Sequence, residues 1–137
     1  MEIVFPIEFV VGGTPVSSGA KRPETKNEWK ERVKAASRTA LPEGHWASKG
    51  RIAVTLFYFP AEPRGGDVDN IVKLVLDALC KHIYIDDSQV ERVLVQKFEP
   101  GNIFRFTSPS SGLEMALSRT KPVLYVRLSN DPFEDLI

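Results

Sequence analysis

The chain has 137 residues and 15.3 kDa, with 42% hydrophobic and 26% charged residues, which suits one globular domain with its own core and excludes a disordered chain. Eighteen basic residues balance eighteen acidic ones, so net charge singles out no partner, and the one cysteine, Cys80, excludes an intrachain disulfide. The opening MEIVFPIEFVV is apolar, but Glu2, Pro6 and Glu8 interrupt it and no basic leader precedes it. It fits neither a secretion signal nor a membrane span, and a soluble cytoplasmic protein is expected.

Ile3, Phe5, Ile7, Phe9 and Val11 alternate as in a strand. GGTPVSSGAKRP breaks that pattern as a loop. Glu24 to Ala40 suits a helix, with Trp29, Val33, Ala36 and Ala40 on one face. Lys26, Lys30, Lys34 and Arg38, four apart, form a basic stripe elsewhere on that helix, with Lys21 and Arg22 just ahead of it. RIAVTLFYF is a second strand, and a glycine-rich loop ends at Asp67. A helix from about Asp69 to Lys81 follows, then the strand ERVLVQKFE, the turn PGN and a hairpin partner IFRF. A short helix around Leu113 to Ser118 leads to a last strand, PVLYVRL, and an acidic tail from about residue 130 to 137. The order of elements predicts an α+β single domain spanning 1–137, a mixed sheet of four or five strands backed by two main helices.

The stretch from Asp67 to Val90, DVDNIVKLVLDALCKHIYIDDSQV, carries five aspartates among mostly apolar residues. Asp69, Lys73 and Asp77 line one narrow stripe of the helix. A helix-capping Asp69 and an Asp69–Lys73–Asp77 ion-pair ladder on a solvated face would account for that stripe without any ligand. Asp86 and Asp87, one of which could cap a turn, would need the chain to double back along the helix to meet Asp67 and Asp69. If they do meet, the donor set is all carboxylate oxygen, suited to Mg²⁺ or Mn²⁺ and to phosphoryl chemistry. Lys73 would then neutralise phosphate charge. An EF-hand is excluded, because Ile71 and Ala78 stand where that loop needs oxygen ligands.

DVDNIVKLVLDAL followed by YIDDSQV resembles the RusA family of Holliday junction resolvases, whose pattern is Asp-x-Asp-Asn, a Lys one turn on, Asp-Ala-Leu and Asp-Asp-x-Gln-Val. The resemblance is close from Asp67 to about Val93 and looser over most of the rest of the chain. It implies a Mg²⁺-dependent, homodimeric, nucleoid-associated endonuclease that cuts four-way DNA junctions by paired nicks. By position, Asp67, Asp69 and Asp87 would be the essential metal-binding acids and Lys73 the catalytic lysine, with Asn70, Asp77 and Asp86 in support. Two features depart from the pattern: Arg64 stands alone before Asp67 where relatives often carry an arginine run, and PVSSGAKR lacks the usual asparagine. Both bear on the grip on DNA rather than on the acids.

With that motif, Lys21, Arg22, Lys26, Lys30, Lys34, Arg38 and Arg64 become candidate phosphate contacts, although a charged helix face in water is also common. Phe104 and Phe106 read as core positions of a strand rather than a base-stacking platform. His82 reads as a helix-end histidine complementing the dipole rather than a proton shuttle. Two alternatives use the same residues: a protein that binds branched DNA without cutting it, and a Mg²⁺-linked phosphotransfer enzyme. The missing Gly-rich phosphate loop argues against the second.

Overall fold

The computed structural model describes residues 1–63, 66–102 and 104–135. In chain order they form β1 (Ile7–Gly12), α1 (Pro23–Ser37), β2 (Ile52–Phe59), α2 (Asp69–Leu79), β3 (Val90–Lys97), α3 (Ser111–Ser118) and β4 (Val123–Ser129). Single 3₁₀ turns sit at Arg38–Ala40 and Asp87–Gln89. The four strands make one mixed sheet in the order β1-β4-β2-β3. β4 runs antiparallel to both neighbours, whereas β2 and β3 are parallel. Parallel neighbours require a crossover, and α2 supplies it.

Period-2 alternation divides the strand residues between two faces. Ile7, Phe9 and Val11, then Ile52, Val54, Leu56 and Tyr58, then Leu124, Val126 and Leu128 share one core with α1 and α2. Trp29 and Val33 enter it from α1, and Ile71, Leu74, Val75, Ala78 and Leu79 from α2. Completely buried side chains such as Leu56 and Leu79 each contribute about 1.5–3 kcal/mol. Phe59, Val123 and Tyr125 face the other way, onto Leu113 and Ala116 of α3. Ser110 caps α3 at the Leu113 N–H (3.1 Å), and the Ser110 and Tyr125 hydroxyls both donate to Glu8 of β1. Two helices therefore back one face, as expected, and a third closes the other.

The structure corrects three expectations. β1 begins at Ile7 rather than Ile3, because Pro6 has no N–H for the ladder. α2 ends at Leu79, with Lys81 in the left-handed region (φ 66°) turning the chain away. IFRF is not a hairpin partner: Phe104, Arg105 and Phe106 lie in no strand, and Ile103 falls outside the described residues. Phe104 and Phe106 instead join Phe57, Phe59 and Phe98, with neighbouring ring centroids such as Phe98–Phe104 at 4.9 Å. Ring-on-ring contact, with Phe106 half-buried and Phe104 still exposed, takes the place of pairing with β3, which stays an edge strand.

His82 also departs from its expected role. Its Nε2 lies 2.8 Å from the buried Ser37 hydroxyl at the end of α1, and its ring packs edge-on against His45, centroids 5.0 Å apart. Desolvation first, then the charges of His45, Lys34 and Arg38, push its pKa down to about 4, so at neutral pH it carries no charge to offer a dipole. The folded pKa lies below the unfolded value, so the stability it contributes is complete above pH ~6.5 and is lost as pH falls towards about 4. Between pH 7 and pH 5 the protein should lose about 1 kcal/mol from this group, discounted for its partial exposure, or about 3 °C in Tm. Thermal melts of wild type and His82→Gln at the two pH values check this. An equal pH dependence in both would remove His82 from the account.

Candidate active site

The acidic stretch opens where β2 ends. Gly66 adopts φ +84°, a conformation that side-chain-bearing residues rarely take, and so aims the chain into α2. Its carbonyl accepts a 2.9 Å bond from Lys97 Nζ at the end of β3, which ties the turn to the sheet. Sequence reasoning passed over Lys97, since a lysine ending a strand usually reads as a surface residue. Asp67 follows in the turn and Asp69 is the first residue of α2. Both side chains are exposed, and neither has a hydrogen-bond or salt-bridge partner among the described residues. Asp69 is not a cap either: Val68 holds that position, with no side-chain capping bond.

One turn on, the expected ion-pair ladder is half present. Lys73 Nζ lies 2.9 and 3.2 Å from the two carboxylate oxygens of Asp77, leaving Asp69 out. The Asp77 hydrogen bond, then its charge and that of Asp87, raise the Lys73 pKa, so the ammonium stays charged. Lys30 and Lys34 of α1 share a groove with Asp77, Ala78 and Cys80, so part of the basic stripe runs directly beside the acidic one. Lys21, Arg22 and Arg38 are exposed and Lys26 partly so, and Arg64 falls outside the described residues.

The Asp86–Asp87 pair resolves into two different jobs. Asp86 caps the following 3₁₀ turn, accepting from the Ser88 N–H at 2.9 Å, and hydrogen bonding from Ser88, its side chain first and then its N–H, holds the carboxyl below the usual range. The Gln89 amide is fully used: its Oε1 accepts from the Ile85 and Asp86 N–H groups, and its Nε2 donates to the Ser48 and Gly50 carbonyls. This clamp fixes the Asp-Asp-x-Gln turn against the segment entering β2 and leaves Asp87 exposed. Burial first, then the charge of Asp87, raise the pKa of the Cys80 thiol just beyond α2. The Tyr84 hydroxyl donates 2.6 Å to the Leu76 carbonyl, holding the returning chain on α2.

The chain therefore does double back along α2, but it brings Asp87 to the far end of the helix from Asp69. The eleven residue steps from Asp69 to Cys80 span ~16 Å. Among the described residues no three His, Cys, Asp or Glu side chains gather closely enough to hold a metal ion. The donor chemistry nevertheless suits a hard cation, because the exposed groups are carboxylates, and Mg²⁺ commonly uses one or two of them together with waters and substrate phosphate. No described helix is long and apolar enough to cross a membrane.

No curated protein matches the chain. A family model, Endodeoxyribonuclease RusA, matches residues 16–105, a span that holds β2, α2, β3, the five aspartates of the 67–90 stretch and the basic helix. By that match the chain belongs to the RusA endodeoxyribonuclease family, nucleases that resolve Holliday junctions.

Proposed function

We propose that the protein is a Mg²⁺-dependent endonuclease that resolves four-way DNA junctions by paired symmetric nicks, acting as a homodimer on DNA in the cytoplasm. The observation that carries this reading is the pair of exposed, unpartnered carboxylates, Asp67 and Asp69, beside a lysine locked in its charged form. Carboxylates without donors on a surface meant for phosphate are unfavourable unless a cation joins them.

Asp67 and Asp69 would hold Mg²⁺ or Mn²⁺, which when bound supplies charge for the departing oxygen and a water of lowered pKa. Lys73 neutralises charge on the phosphate, and Asp77 keeps its ammonium oriented and protonated. The turn clamped by Gln89 presents Asp87. Since ~16 Å of helix separates Asp69 from the neighbourhood of Asp87, one ion cannot take all three from a single chain. A two-fold dimer that sets Asp67 and Asp69 of one copy against the partner's Asp87 completes the set and supplies two such sites, as paired cutting requires. Lys30 and Lys34, with the exposed Lys21, Arg22 and Arg38 that flank α1, track the phosphate backbone.

The test is incubation of the protein with a synthetic four-way junction and with its linear arms, in Mg²⁺, Mn²⁺ or EDTA. Cutting of the junction alone, and only with metal, is expected. Tight junction binding with no cutting in any divalent metal would instead make this a branched-DNA-binding protein.

A further inference from the structure

A cleft of about 250 Å³ opens at the carboxyl ends of β1 and β2, between the loop after β1 and the start of α2. Thr14 and Ser17 line it from the loop, Asp67 and Asn70 from the start of α2, and Tyr58 from β2. Tyr58 is only 2% exposed, so its ring belongs to the core, yet its hydroxyl has no hydrogen-bond partner among the described residues. A buried hydroxyl normally finds a partner. Unlike the unpaired Trp29 Nε1, the hydroxyl is not fully enclosed, and Tyr58 lines the cleft. The Asn70 amide is likewise without a side-chain partner among the described residues.

The lining chemistry narrows the occupant. Among the described residues that line the cleft there is no Lys, Arg or His, so apart from a cation at Asp67 none of them offers a phosphate a charged partner. Hydroxyls and one amide over the apolar Pro15 and Ile71 suit a neutral polar heterocycle. At this volume the cleft takes a single small ring system rather than a large ligand. We propose that it receives the nucleobase next to the scissile phosphate, and that the Tyr58 hydroxyl, with Asn70, hydrogen-bonds the edge of that base and sets which sequences are cut. The proposal rests on the endonuclease reading, since Asp67 is common to the cleft and to the metal site. A base at a branch point has lost a stacking neighbour and costs less to extrude than one within a duplex. A tyrosine hydroxyl both donates and accepts, so it can pair with either a donor or an acceptor on a base edge.

The experiment compares wild type with Tyr58→Phe, which removes only the hydroxyl, on four-way junctions that differ only in the nucleotide flanking the mapped cut. Wild type should cut its best and worst sequences at rates differing by about tenfold or more. Tyr58→Phe should bring that ratio to within about twofold while junction affinity and cutting of the worst sequence hold. Thermal melts confirm the fold, and Thr14→Val, which alters the rim without entering the core, should narrow the same ratio. A wild-type enzyme with no preference, or variants that keep the wild-type ratio, would overturn the inference and leave the endonuclease reading intact. A wild-type protein that cuts no junction would instead overturn the reading beneath it.

Discussion

Asp69→Asn is expected to bind junctions normally and leave them uncut. The Asp69 side chain is exposed, makes no salt bridge or hydrogen bond among the described residues and caps nothing, so the isosteric change should leave the melting temperature near wild type. Removing one negative charge from a surface that approaches phosphate should hold or improve affinity in a gel-shift titration. The cleavage rate should fall by about a thousandfold or more, roughly 4 kcal/mol in the transition state, because the cation loses a ligand and its placement. Near-normal cutting by the folded variant would remove Asp69 from the metal site. Loss of binding along with cutting would make it part of the DNA surface instead.

The second large effect concerns where the third carboxylate comes from. Asp69→Asn and Asp87→Asn should each be inactive alone, yet coexpression of the two should restore nicking. In a mixed dimer one site inherits both substitutions and the other inherits neither, because Asp69 of one copy works with Asp87 of the other. Random exchange makes about half the dimers mixed, so about a quarter of the sites are native. Single nicks should therefore return at about a quarter of the wild-type rate, while paired cutting should not return. If each chain supplied all its own ligands, every site would carry one lesion and mixing would restore nothing. The ~16 Å of helix between Asp69 and the neighbourhood of Asp87 favours the first outcome.

Much of this architecture was legible in the chain. The basic and acidic helices declared themselves by period, and Asp69, Lys73 and Asp77 do share a stripe. What escaped depended on contacts distant in sequence. IFRF has strand composition, but Phe104 and Phe106 pack their rings on the phenylalanines of β2 rather than extending the sheet at β3. Asp86 and Asp87 are the same residue type side by side, and only the Gln89 clamp on Ser48 and Gly50 shows which one caps and which faces outward. His82 looked like a cation at a helix end until His45, 37 residues away, was found against its ring. Tyr58 fitted the alternation of a core strand so well that its hydroxyl carried no signal; its place at the end of β2, facing the cleft, gives it one. The separation of Asp69 from Asp87 could not be read from spacing, since a return along a helix can stop at either end.

The most direct measurement maps the cuts. A four-way junction labelled in turn on each of its four strands is incubated with the protein in Mg²⁺ and in EDTA, and products are sized on denaturing gels. Metal-dependent cuts at the same position on two opposite strands, with the other two intact, are the predicted result. Cuts unaffected by EDTA, cuts at unrelated positions on all four strands, or a bound and intact junction in every divalent metal would contradict it.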